Sequence, residues 1–194
     1  PKLPSLTDIP DAELKSVTNG GKVESEDGFD IAFALPGGIQ IGYDRRSYNP
    51  VTGRLIAWVT VPVVGFAADT SIHLYYGLVG AEDQADAAGA WSAWDSAFPG
   101  DVDAVSLLDA TGYHRHAIPA GITLPAAVTG PIPGHDGIDV TAGYLRAPDV
   151  PTRRRAVVAF WFKHGPQIGT GHVPVYSHVR SGVAGIEIKF RRAG

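Results

Sequence analysis

Between residues 28 and 76 apolar and polar side chains alternate with period two, and β-branched and aromatic residues fill many of the apolar positions. Phe29-Asp30-Ile31-Ala32-Phe33, Leu55-Ile56-Ala57-Trp58-Val59-Thr60-Val61 and Ser71-Ile72-His73-Leu74-Tyr75-Tyr76 each predict a strand. The separators carry turn chemistry. Pro36-Gly37-Gly38 demands a tight bend or positive φ, and Asn49-Pro50-Val51-Thr52-Gly53 has the make-up of a hairpin loop. A β-meander is the expected arrangement. The best helix lies at residues 81–93, alanine-rich and interrupted by Gly89, with Glu82, Asp83 and Asp86 near its start to complement the positive end of the helix dipole.

Beyond Pro99-Gly100 glycine and proline recur every few residues, and the apolar runs 157–162, 173–176 and 186–190 predict further strands. A domain boundary is expected near Gly100, giving units at 1–99 and 100–194. Residues 119–133 mix short apolar pieces with proline and suit an edge strand or an extended crossing. There is no internal repeat.

Composition narrows the fold class to all-β. Of 194 residues, 44% are hydrophobic, enough to bury a core, while 24 glycines and 15 prolines leave little room for long helices. The expected architecture is a β-sandwich of jelly-roll type, preceded by a small β-domain with at most one short helix. A formal charge of −4 offers no broad positive field, so neither nucleic acid nor an anionic membrane is an expected partner. With no cysteine, disulfides, thiolate nucleophiles and thiolate-bound metals are excluded. No apolar run approaches the roughly 18 residues of a membrane-spanning helix, and the first ten residues lack a secretory signal pattern. A proline at position 1 fits removal of an initiator methionine after cytoplasmic synthesis, and equally a processed chain.

An ordered set of short motifs adds a resemblance. Leu6-Thr7-Asp8-Ile9-Pro10, Gly20-Gly21-Lys22-Val23, Gly28-Phe29-Asp30-Ile31-Ala32-Phe33, Tyr48-Asn49-Pro50-Val51-Thr52-Gly53, Ala57-Trp58-Val59-Thr60-Val61-Pro62 and the 69–77 stretch ending Tyr75-Tyr76-Gly77 occur in that order. Together they resemble an uncharacterised β-domain of bacterial surface and phage structural proteins, whose hallmark is a strand ending Tyr-Tyr-Gly-Asn. The match covers about residues 5–98; Leu78 replaces the family's Asn, and much of the usual opening strand is missing. The second half, about 102–190, is similar to the start of a concanavalin A-like, laminin-G-type jelly roll. The resemblance rests on the 108–117 stretch Leu-Asp-Ala-Thr-Gly-Tyr-His-Arg-His-Ala, on Asp136-Gly137-Ile138-Asp139-Val140, and on Ala159-Phe160-Trp161-Phe162-Lys163. A complete jelly roll needs more chain than follows Phe162, which implies an abbreviated sandwich or one completed by neighbouring chains.

The candidate chemistry is sparse. His114 and His116 with His135-Asp136 are not distinctively spaced for zinc, and His116 reads as support for a turn. No cofactor is expected. Calcium is the better-motivated ion, because concanavalin A-like domains often bind it through loop carboxylates, and Asp109, Asp136 and Asp139 are its candidate ligands; aspartate at turns also serves conformation alone. Neither Glu24-Ser25-Glu26-Asp27 nor Ile186-Glu187-Ile188-Lys189 matches the paired-carboxylate pattern of glucanases of that fold, and no nucleophile elbow or phosphate-binding loop occurs. Trp58, Tyr75 and Trp161 are expected in the core, whereas Trp91 and Trp94 flank a helix end and are expected to join the two halves. Arg153-Arg154-Arg155 reads as a solvated loop, or more sharply as a contact for an acidic surface.

The expectation is a non-enzymatic structural or recognition protein: a bacteriophage virion component such as a capsid decoration, head-fibre or tail protein. Its partners are copies of itself and other virion proteins, and its place is the virion, assembled in the host cytoplasm. The alternative is a glycan-binding module of a secreted or cell-surface bacterial protein, with surface glycans as ligand. Assembly is assigned to the C-terminal strand through Ile186, Ile188 and Phe190, with Arg191 and Arg192 at the contact rim.

Overall fold

A computed structural model describes residues 3–120 apart from 66, 68, 104 and 105, together with 127–129, 136–138, 144–147, 159, 172–180 and 183–191. These residues are mostly antiparallel β-structure, an all-β fold. By compactness the chain divides into Pro1–Arg155 and Ala156–Gly194. The sequence expectation placed its boundary near Gly100; within the first unit, ties across that point include the Arg46–Asp101 ion pair and a bond from Ala110 N–H to the Ala97 carbonyl.

The first unit is organised by the strand of Arg54–Val61, which is buried on both faces. In chain order its strands begin with β1 (Leu3–Pro10), β2 (Ala32–Ala34), β3 (Gln40–Ile41), β4 (Tyr43–Asn49), β5 (Arg54–Val61) and β6 (His73–Tyr75). β5 lies between β1 and β4, and a second three-stranded sheet runs β3-β2-β6. The meander expectation is therefore corrected. β5 pairs not with the next strand but with β1, from Leu3↔Val61 to Pro10↔Arg54. β6 reaches back to β2.

Period-two alternation decides what each face of β5 buries. Leu55, Ala57 and Val59 join Leu14, Val23, Ile31, Phe33, Ile41 and Tyr43 in one apolar cluster to which both sheets contribute. Ile56, Trp58 and Thr60 occupy the alternate positions, and on that side a second cluster of Ala90, Trp91 and Ala97 takes in Trp58, Trp94 and Ala110. Trp58, expected in the core, is half-buried there, its ring tilted against Trp91 at 5.3 Å between ring centroids.

The β4–β5 hairpin forms at the loop its sequence predicts. Asn49 Oδ1 accepts from Val51 and Thr52 N–H, and Gly53 adopts φ +72°. A Cβ at Gly53 would collide with the Asp11 carbonyl oxygen, so the position requires glycine twice over. The predicted helix shrinks to a single turn, α1 (Ala87–Ala90). Upstream of it, Gln84 N–H donates to the Phe29 carbonyl and Asp86 N–H to the Tyr43 carbonyl. Those backbone groups serve as ties to the sheets, not as helix bonds, and Gly89 weakens what remains.

Further along, β7 (Ile118–Ala120), β8 (Ala127–Thr129), β9 (Asp136–Ile138) and β10 (Tyr144–Arg146) form two short antiparallel pairs, β7 with β10 and β8 with β9. The second unit contains β11 (His172–Arg180) and β12 (Val183–Arg191), paired antiparallel with a bulge between Pro174 and Tyr176. These two strands contain the expected runs 173–176 and 186–190. Trp161, the Arg153-Arg154-Arg155 run and nearly all of the 157–162 run lie outside the described residues.

Candidate functional site

The motif residues of the first half converge on buried polar ties. Asp30, 4% exposed, accepts from Glu24 N–H at 3.0 Å, Ser25 N–H at 3.0 Å and Gly77 N–H at 2.7 Å. Burial alone would raise its pKa, but the backbone donors outweigh that and hold the carboxyl below its ordinary value. One carboxylate thus pins the turn after Tyr75-Tyr76-Gly77 to the loop at 24–25. Tyr76 packs against the core and its hydroxyl donates to Glu13 at 2.8 Å.

Tyr75 corrects an expectation. It is 48% exposed rather than part of the core. On β6 the alternation sends Leu74 inward, so its neighbours His73 and Tyr75 face outward, their rings 6.3 Å apart.

Beside this lies a second tie. Arg45 forms a two-pronged pair with Asp83 at 2.8 Å on each prong, donates to the Gly28 carbonyl at 3.1 Å, and lies 5.3 Å from the centre of the Phe29 ring. The fully buried Tyr43 donates its hydroxyl to the Ile31 carbonyl at 2.6 Å, and burial pushes that phenol up to about 12. Tyr48, bonded to the Leu14 carbonyl at 2.7 Å, is likewise pushed up to about 12, by burial first and then by the negative charges of Asp30 and Glu26. Asp8 and Arg54 form a two-pronged pair across the β1–β5 rim.

Asp109 is the first of the calcium candidates, and its geometry assigns it another task. It is 3% exposed, and its oxygens accept from Ala97 N–H, Thr111 N–H, the Thr111 hydroxyl and Arg115 N–H at 2.8–3.0 Å. Four donors converge on a carboxylate with negligible exposure, so it is engaged as the hub of a turn and not presented to a cation. His116 Nδ1 accepts from Asp109 N–H at 3.0 Å, which makes that histidine part of the same turn, the supporting role its sequence position suggests. Asp136 stands in β9 opposite Thr129, and Asp139 lies outside the described residues. Among the described residues no three His, Asp or Glu side chains are grouped to hold a metal.

Trp91 and Trp94 sit where the segment after α1 folds onto the back of β5. The Trp91 indole N–H donates to Asp44 at 2.9 Å, and the two rings meet edge to face at 6.3 Å. Asp44 also pairs with Arg46, whose guanidinium is held by Asp101. Sequence reasoning missed this Asp44–Arg46–Asp101 chain, because charged residues within β4 look like a solvated face until the returning segment covers them.

Tyr113 is 57% exposed with the Arg115 guanidinium 4.2 Å from its ring centre, and the Arg115 side chain is anchored by donating to the Asp95 carbonyl.

Of the residues expected at an assembly contact, Ile186, Ile188, Phe190 and Arg191 fall in β12, and Arg192 lies just beyond the described residues. The register pairs Ile186, Ile188 and Phe190 with His178, Tyr176 and Val173, and Glu187, Lys189 and Arg191 with Ser177, Pro174 and His172. Set against family models, curated proteins and solved structures, the chain finds no match in any of the three comparisons.

Proposed function

We propose that this protein is a non-enzymatic structural component of a larger assembly, and that a bacteriophage particle, as a capsid decoration, head fibre or tail part, is that assembly. The observation that carries this reading is the β11–β12 hairpin. Its two nine-residue strands form a two-stranded sheet with no further partner among the described residues. A two-stranded sheet is marginal by itself, and an unpaired edge presents a row of N–H and C=O groups that either is blunted or pairs with another chain. The buried polar groups of the first unit support the same reading. Asp30, Asp44 and Asp109 are engaged by backbone and indole donors, which is the work of a scaffold. The motif resemblance to domains of phage structural proteins points the same way.

The test is the native mass of the full chain across a concentration series, together with co-sedimentation with phage particles. Oligomers or particle binding, both lost when residues 185–194 are deleted, are expected, with the first unit still folded. A chain that stays monomeric at high concentration and ignores particles would overturn the proposal. The alternative reading, a glycan-binding module, draws on Tyr113, an exposed ring held by an anchored arginine. Binding on a glycan array that Tyr113→Ala abolishes would favour it.

A further inference from the structure

The two outer edges of the C-terminal hairpin are not equivalent. β11 contains Pro174, paired with Lys189. Proline has no N–H, and within a ladder it is tolerated with its nitrogen turned away from the partner strand, so the outer edge of β11 lacks a donor. β12 reads Val-Ala-Gly-Ile-Glu-Ile-Lys-Phe-Arg without proline, so each of its residues keeps both a donor and an acceptor. The edge competent to accept another strand is that of β12.

This edge is complementary to itself. Run β12 antiparallel to a second β12 with Ile188 on a two-fold axis, and Glu187 stands opposite the partner's Lys189 while Lys189 stands opposite the partner's Glu187. Ile186 stands opposite the partner's Phe190, and Arg191 opposite the partner's Gly185, which has no side chain to oppose it. Neighbouring registers fail. A slip by one residue sets apolar positions against charged ones, because every side chain changes face. Centring on Glu187 or Lys189 puts like charges directly opposite, which is destabilising. Centring on Phe190 sets Lys189 against the partner's Arg191. Charges on an edge strand commonly block pairing, a task that like charges perform. Here their signs alternate about Ile188 and favour it.

Resting on the assembly reading above, we infer that β12 is a self-association edge. A second copy of this chain adds its β12 antiparallel with Ile188 at the two-fold, and two hairpins become one four-stranded sheet. The partner is a second copy because the edge's own sequence supplies the opposite charge and the matching apolar residue at each position.

The chain has no cysteine, so Ile188→Cys introduces a single thiol in the full-length protein. Residues directly opposite in an antiparallel pair have Cα atoms about 4.5–5.5 Å apart, inside the disulfide range. Mild oxidation of Ile188→Cys is expected to give a covalent dimer. Ser177→Cys, on β11, lies three strand spacings or about 14 Å from its copy and is expected to give none. Glu187→Lys and Lys189→Glu should each weaken the dimer by about tenfold at low salt, and the double exchange should restore it to within about threefold. If the unaltered chain is oligomeric by native mass, yet Ile188→Cys does not crosslink and the double exchange does not rescue, the β12 register is overturned and the assembly reading survives. If the unaltered chain is monomeric at high concentration and indifferent to particles, both fall.

Discussion

Replacing Asp30 with asparagine alters one atom and disturbs three bonds. Oδ2 of the carboxylate accepts from both Glu24 and Gly77 N–H, and Oδ1 accepts from Ser25 N–H. An asparagine that keeps its carbonyl oxygen in the Oδ2 position turns its NH2 toward the Ser25 N–H, donor against donor. The buried N–H left stranded costs about 1–3 kcal/mol, and the two bonds that survive lose the charge that makes them roughly twice as strong as neutral ones. The sum is a loss of about 3 kcal/mol at neutral pH, and Asp30→Ala, which strands all three donors, should lose about 4–5 kcal/mol. In a unit of this size, about 3 kcal/mol lowers Tm by about 6–12 °C. The pH dependence identifies the cause. The folded-state pKa of Asp30 is depressed below 3.8, so its contribution is present above the unfolded value and is lost as pH falls through the folded one. Urea unfolding of the unaltered protein and of Asp30→Asn, from neutral pH down to about pH 2, should therefore show the gap between them narrowing below 3.8. A gap under about 0.5 kcal/mol at neutral pH, or one that stays constant with pH, would refute the account.

The remaining expectations concern the core, the hairpin loop and the alkaline limit. Trp58→Ala should cost about 2–3 kcal/mol, below the full cost of removing a buried tryptophan because part of the residue keeps its exposure to solvent; global unfolding, or no change in the urea midpoint, would contradict its place beside Trp91. Gly53→Ala should cost about 2–4 kcal/mol, since it combines positive φ with a collision at the Asp11 carbonyl, and a neutral effect in thermal melts would show that the loop yields easily. With Tyr43 and Tyr48 raised from 10 to about 12, their contribution is present below pH 10 and is lost as pH climbs through about 12. Phenolate absorbance should accordingly show Tyr43 and Tyr48 ionising about two pH units above 10, and their ionisation near pH 10 in an intact fold would be incompatible with the burial described.

What the sequence disclosed was local. The loop at 49–53 was legible because Asn49 and Gly53 each answer a specific backbone demand, and β5 was legible because eight residues carry its pattern. Partner choice was not. β1 escaped notice because Pro4 and Pro10 punctuate its apolar residues, and without it β5 looked like the middle of a meander. Tyr75 and Tyr76 are adjacent, and only the alternation of Ile72, Leu74 and Tyr76 toward the core decides which ring is buried. At the candidate sites, aspartate at a turn looks the same in sequence whether it serves a cation or a loop. Only the donors gathered around Asp109 separate the two.

The place of β1 at the rim of its sheet bears on how the chain is made. It leaves the ribosome before the other strands described, yet the strand it pairs with follows only after β2, β3 and β4 have been synthesised. Translation at about 5–20 residues per second leaves the nascent strand without its mate for roughly 3–10 s. During that interval a proline-free strand of the same hydrophobicity would be a template for its neighbours on a polysome. Pro4 and Pro10 each withdraw a donor from β1, which the finished sheet tolerates because β1 is its outermost strand. The prolines that hide this strand from a reader of the sequence also blunt its outer edge, so that only the side β5 comes to cover stays open to other nascent chains in the interval.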